Sequence, residues 1–376
     1  MKLDYRRIKV TSLFSAALSL PTHPPDVLIT GFKLEQSKGN QRFFQMAAPE
    51  AEIYKNEQVA KAAHPQTKIF QASSPNPIEL SAIEAIAHLG SYDVLFQGAT
   101  KVKSPEGFLV QGNNVSYNHA EEKITTDEAV QFESTPEFTT SFIQGWGKSF
   151  EADLKAKSFT FKDKIQLSIL PREAGASVSK IKGNIARIFT ERGWAQIEGD
   201  VAFQKDTLSL RSEFLTLDFD IEGKHSGEEA IFQSSGKSYV IALFDQYKLS
   251  SKEVVLFLKN RKEINRILAQ GDVTLTDNKG LEMSTDKLEI VQPQSPKRKM
   301  KLIGDVNIKR GQDEATCNEA SFDPEADYLV LKGNAAFKRG LDAMGGEEIR
   351  YSKKSGLLQV LKASGQFQKN KILQNK

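Results

Sequence analysis

The sequence predicts an all-β protein: an extended antiparallel sheet, folded over on itself and built from two-strand repeats of about thirty residues. Three observations predict it. Apolar residues alternate with polar ones along segment after segment, as half-buried strands require. A glycine recurs at the centre of one class of segment. A second class breaks its period of two at one fixed place.

The first class is plainest at "MKLIGDVNIKR" (300–310), where Met300, Leu302, Val306 and Ile308 flank Gly304 at even spacing. The same frame surrounds Gly98 (Val94, Phe96, Thr100, Val102), Gly199 (Ala195, Ile197, Val201, Phe203), Gly271 (Ile267, Ala269, Val273, Leu275) and Gly333 (Leu329, Leu331, Ala335, Phe337). Gly183 and Gly365 give weaker versions. Asp or Asn follows the glycine at 199, 271, 304 and 333. A glycine weakens a strand. Its repeated use points to bent strands that need a site without bulk on the concave face.

The second class reads apolar-x-apolar-x-small-x-x-apolar-x-apolar. In chain order, copies start at 44, 78, 108, 143, 208, 281, 313 and 342, at intervals of 34, 30, 35, 65, 73, 32 and 29 residues. A fixed period in this range marks a stacked repeat. The step of three would throw half of a flat strand onto the wrong face. A bulge in these strands restores the facing and bends them. The two long intervals read as decayed copies. "PREAGASVS" (171–179) in the first reads as a loose connection, and the register of 221–265 in the second does not resolve. "SAIEAIAHLG" (81–90) has a weak helical pattern, but its match to the strand template favours strand. "SPEG", "TDNKG", "KRGQD" and "KKSG" (104–107, 276–280, 309–313, 353–356) supply hairpin turns.

Composition narrows the function. The chain has 376 residues, a net charge of +3 and a single cysteine, Cys317. The charge is too small to argue for nucleic acid, and no intrachain disulfide is possible. Residues 10–20 form a mildly apolar run of signal-core size, too short for a bilayer span, which needs about 20 residues. It reads as an export or anchoring segment, or else as a trimmed start or a leader.

Residues that would carry chemistry are missing from the pattern. "GKS" occurs at 147–149 and 236–238, but Phe142 and Ile231 stand where a phosphate-binding loop needs its first glycine. His23, His64, His88, His119 and His225 lack metal-ligand spacing. Lys297, Arg298 and Lys299 form a basic cluster that reads as a solvated loop or a contact for lipid phosphates. Trp146 and Trp194 read as packing residues. The sequence calls for no catalytic residue, metal or cofactor.

Longer stretches carry a family resemblance. "GFKLEQSKGNQRFFQMAAPEAEIYKN" (31–56), with its Ala48, Ala51, Glu52, Ile53, Tyr54 corner, resembles the start of LptC-type lipopolysaccharide transport proteins. Residues 95–132 and 142–161 continue that likeness. From about 180 onward, "IEGDV", "AQGDV", "LIGDV" and "LKGNA" resemble strands of LptA (OstA-like) proteins. The resemblance implies residues 1–29 as a leader or anchor remnant, 30–172 as an LptC-like domain and 173–376 as an LptA/OstA-like domain. It implies a V-shaped, jelly-roll-like sheet with an apolar inner groove (a β-taco), and a non-enzymatic periplasmic bridge component. The cargo would be lipopolysaccharide, passed from the inner-membrane ABC exporter toward the outer membrane. The full transmembrane anchor of the LptC family is missing or shortened, so inner-membrane attachment stays open.

A lipid groove would be lined by the inward residues Phe44, Met46, Ile53, Phe96, Phe108, Val110, Tyr117, Phe203, Leu208, Leu210, Leu215, Leu217, Leu275, Leu281, Met283 and Phe337. A dry sandwich core would use the same residues. Strand addition would join the N-terminal edge, Phe32–Met46, to the exporter complex. It would join the C-terminal edge, Leu357–Gln368, to an LptA-like or LptD-like protein. Two other readings are a structural or carbohydrate-binding β-solenoid or β-sandwich, and a β-helix lyase or hydrolase.

Overall fold

A computed structural model describes residues 22–363, apart from 39–40, 72–73, 135–140, 172–176, 190–192, 219–228, 260–262, 324, 327, 341, 353–354 and 356. The leader, most of "PREAGASVS", Gly365 and the end of the predicted C-terminal edge lie outside these residues. Every described pairing is antiparallel, as the repeat pattern predicts. The chain divides into two compact units, residues 1–132 with 149–156, and residues 133–148 with 157–376.

In unit 1 the strands are β1 (Val27–Lys38), β2 (Gln41–Tyr54), β3 (Val59–Ala63), β4 (Gln66–Ile69), β5 (Ile78–Ser81), β6 (Glu84–His88), β7 (Val94–Lys103), β8 (Phe108–Asn118), β9 (Lys123–Thr126) and the first part of β10 (Val130–Ser134). Unit 2 holds β11 (Ser141–Gly147), while β12 (Ser149–Asp153) returns to unit 1 and pairs with β9. The strand preference for residues 81–90 is met by β5 and β6. One half of β2 pairs with β4 and the other with β3, so here too a long strand spans a corner.

Unit 2 continues with β13 (Ser158–Pro171), β14 (Ser179–Phe189), β15 (Trp194–Lys205), β16 (Leu208–Asp218), β17 (Glu229–Gln233), β18 (Val240–Phe244), β19 (Tyr247–Ser251), β20 (Glu253–Lys259) and β21 (Glu263–Asp277). It ends with β22 (Leu281–Val291), β23 (Lys299–Arg310), β24 (Asp313–Asp323), β25 (Tyr328–Arg339), β26 (Asp342–Ser352) and β27 (Leu358–Leu361). Each strand pairs with its neighbour in space, two bent strands to a repeat. A solenoid would instead wind parallel strands into coils.

The bend has a different cause from the one the sequence suggests. Glu198 pairs with Phe214 and Val201 with Ser212, so Gly199 and Asp200 of β15 together face Glu213 of β16. The extra residue therefore sits on the glycine strand and not on its partner. The same holds for β21 against β22, β23 against β24 and β25 against β26. Gly199 has φ +75° and Asp200 φ +49°; Gly271 and Asp272 repeat this at +78° and +48°. A side chain strains the first of these conformations, and Asp or Asn tolerates the second best after glycine. The glycine thus serves the backbone and does not clear the concave face; the recurring Asp or Asn belongs to the same bulge.

Two copies that the sequence pattern lost are present. Tyr247, Leu249, Ser251, Val254 and Leu256 fit the second template across β19 and β20. Its glycine-class partner is β17 plus β18, interrupted by residues 234–239. Ile181, Gly183, Ala186 and Ile188 fit the same template in β14, so Gly183 is a small corner residue there and not a bulge glycine. In β13, Asp163 and Lys164 take the two positive-φ positions, at +59° and +69°, without any glycine. The small corner slot is also polar. Ser212 donates its hydroxyl to Phe214 O at 2.8 Å, Ser251 to Glu253 O at 2.9 Å and Thr285 to Ile303 O at 2.8 Å.

These bends divide unit 2 into two arms. The first arm holds residues such as Met300, Leu302, Phe322 and Leu329; the second holds Leu249, Leu281, Met283, Ile308 and Phe337. Apolar side chains of both arms face inward.

Candidate apolar groove

From β13 to β21 the space between the arms is filled. Phe161, Leu215, Phe232, Leu249 and Leu256 are fully buried, and Phe203 packs edge-on against Phe232 at 5.4 Å. Beyond β21 the positions beside the bend, such as Leu288, Leu331 and Ile349, stay buried, but several farther out along the arms open. Leu281, Met283, Phe322, Leu329, Phe337 and Tyr351 are only half-buried. They line a cavity of about 400 Å³ with Tyr247, Met300, Leu302, Ile308 and Ala315. Phe337 and Tyr351 stack across the arms at 6.3 Å and bound its far end.

The rim is polar and comes from the hairpins at the tip of the second arm: Gln246, Asp277, Lys279, Arg310, Asp313 and Glu314. Asp277 caps its own turn, accepting from Lys279 N at 2.7 Å and Leu281 N at 2.9 Å. Burial pushes its carboxyl up, but these two bonds and the nearby cations more than offset that and hold it below its usual range. Asp313 is held low by a two-pronged bond from Arg339, at 2.7 Å on each prong. Lys279 and Arg310 have no ion-pair partner among the described residues. The site is therefore an apolar trough with Lys279 and Arg310 at its lip, both near the Asp277 carboxylate. Among the described residues no set of three or more His, Cys, Asp or Glu side chains is placed to hold a metal ion.

Of the sixteen groove residues expected from sequence, Leu281, Met283 and Phe337 meet in this cavity. Phe203, Leu208, Leu210, Leu215, Leu217 and Leu275 lie in the filled part of unit 2. Phe44, Met46, Phe96, Phe108, Val110 and Tyr117 are buried in unit 1, where Phe44 stacks on Tyr117 at 6.2 Å and Phe108 on Phe132 at 5.5 Å. Ile53 is half-buried there. Met300, Leu302, Ile308, Ala315, Phe322, Leu329 and Tyr351 are cavity residues that the sequence expectation leaves out. All seven occupy inward positions of the two templates, so the signal for them was present. Tyr247 belongs to a copy that the sequence pattern hid.

Residues 10–169 match the family described as "Lipopolysaccharide-assembly, LptC-related". Residues 180–357, which contain the cavity, match "LptA/(LptD N-terminal domain) LPS transport protein". The chain thus matches an LptC-related family over most of its first half and an LptA-type family over most of its second. Among solved structures it is similar to LptH, the LptA-homologous periplasmic component of the lipopolysaccharide transport device of Pseudomonas aeruginosa. That likeness has 15% identity and covers 41% of this chain and 82% of the other. Its TM-score of 0.19 is too low to establish a shared arrangement. None of the curated proteins matches. The cavity thus falls wholly within the LptA-type half, and the LptC-related half carries the packed residues of unit 1.

Proposed function

We propose that the protein is a non-enzymatic component of a periplasmic bridge that carries lipopolysaccharide from an inner-membrane ABC exporter toward the outer membrane. The acyl chains occupy the trough of the LptA-type half. The observation that carries this reading is the cavity itself: apolar walls from two arms, a mouth between them, and Lys279 and Arg310 at the lip. Each methylene withdrawn from water is worth about 0.8 kcal/mol, so a multi-chain lipid needs such a trough to cross an aqueous space. A series of equivalent rungs offers it no single deep well. The two cations suit an anionic headgroup left outside.

Assembly by strand addition fits the free edges. Among the described residues β1 pairs only with β2, and β27 only with the second half of β26. In this reading β1, which includes Phe32, meets the exporter complex. The edge at β26 and β27 meets an LptA-like or LptD-like protein.

Photo-crosslinking tests the lipid reading. A photoreactive residue at Met283 or Phe337 is expected to capture lipopolysaccharide, and one at exposed Ser284 or Lys338 is not. Equal labelling of the inward and outward sets would refute it.

A further inference from the structure

The filled and open parts of unit 2 meet at a loop that crosses from one arm to the other. Gln292–Arg298 joins β22 to β23 at the tip of the first arm. Its Arg298 guanidinium donates to the carboxylate of Asp245, which lies in the β18–β19 turn at the tip of the second arm. The same guanidinium lies 5.3 Å from the centre of the Tyr247 ring. Gln294 reaches a second turn of that arm, with Nε2 3.5 Å from an oxygen of Asp206. The loop is built to hold this position. Gln292 N donates to Asn265 O at 2.7 Å, Ser295 N to Gln292 O at 2.9 Å and Arg298 N to Ser295 O at 3.1 Å. Pro293 is buried. Only about 15% of the Arg298 side chain is exposed, which places the ion pair partly out of solvent.

We propose that this loop is a clasp across the mouth of the trough and that the Arg298–Asp245 pair is its catch. The proposal rests on the lipid reading above. A lipid sliding along the trough keeps its chains between the arms while its headgroup projects through the mouth. Behind the clasp the arms close on packed side chains, so the lipid enters there only where the arms part, and a loop tied lip to lip both holds them together and stands in the path of the headgroup. The chains and the clasp do not compete for one space, so the clasp controls passage and leaves binding in the open cavity untouched.

The test uses the full chain with Cys317→Ser, Asp245→Cys and Arg298→Cys. The cysteine pair is bridged by a short bifunctional methanethiosulfonate that reductant cleaves. Rough lipopolysaccharide is the probe. A photoreactive residue stands either at Phe337, in the cavity, or at Phe161, in the filled region behind the clasp. Bridging is expected to leave capture at Phe337 unchanged and to cut capture at Phe161 at least tenfold, with recovery on reduction. Recovery in the same sample shows that the chain is folded. Without the bridge, Arg298→Ala is expected to raise the rate of capture at Phe161 several-fold. Capture at Phe337, with Phe161 labelled equally or not at all in the bridged and reduced samples, overturns the clasp alone. No capture at Phe337 in any sample overturns the clasp together with the lipid reading.

Discussion

At the scale of single residues, the bends concentrate the demand on side-chain identity. Gly304 has φ +84°, and a Cβ there would overlap the Asp286 carboxylate. Gly304→Ala therefore meets both backbone strain and a clash. It is expected to lower stability by about 1–3 kcal/mol, read as a drop in the thermal midpoint, with Ser284→Ala on the same sheet close to neutral. Glu213 works by hydrogen bonding. Its carboxylate accepts from the hydroxyl and amide of Ser235 and from Ser238, which draw its pKa from 4.5 down to about 2. A lowered folded-state pKa gives stability that is present above the unfolded value and lost as pH falls through the folded one. The 234–239 loop is therefore expected to stay pinned at neutral pH and to loosen between about pH 4.5 and 2. Amide exchange at Ser235 should follow that window. Glu213→Gln should remove the dependence, and an unchanged profile in that variant would discard the assignment.

At the scale of strands, the inward positions were legible because burial imposes a period of two that survives substitution. Leu208, Leu210, Leu215 and Leu217 are all buried as the template requires. The location of the extra residue was not legible. A step of three in one strand and a glycine in its partner both signal a bend, and only the pairing of Glu198 with Phe214 and Val201 with Ser212 assigns the bulge. The two hidden copies were lost for separate reasons. Residues 234–239 split β17 from β18, and in β13 non-glycine residues adopt the left-handed pair. The latter gives a prediction. Lys164 is exposed and has φ +69°, so Lys164→Gly relieves strain at the cost of a more flexible unfolded chain. A net gain of up to about 1 kcal/mol is expected, measured as a shift in denaturant midpoint; a clear loss would mean that Lys164 holds a contact worth more than the strain.

At the scale of the whole chain, the same inward residues serve two ends, and sequence does not distinguish them. Phe203 and Phe337 each stand four residues past their bulge glycine, yet one is buried and the other half-buried. The difference lies in how far the arms stand apart, which depends on pairings and loops remote from either residue. Charge at the lip offers a further test. Lys279→Glu combined with Arg310→Glu is expected to reduce capture of lipopolysaccharide at Phe337 about tenfold or more while leaving the thermal midpoint within a degree or two, because both side chains are exposed, Lys279 on a turn and Arg310 at the end of β23. Retained capture would show that the headgroup is not held there.

The constant placement of the bulge on every second strand sets a rule for growth. Adding one hairpin leaves all later bends in phase, whereas adding a single strand would set a bulged strand beside another of its kind. Neighbouring strands lie about 4.8 Å apart, so each hairpin extends the stack by about 10 Å. Reach is consequently available only in whole increments, and a gene for such a chain can match a wider gap by copying one module without retuning the rest.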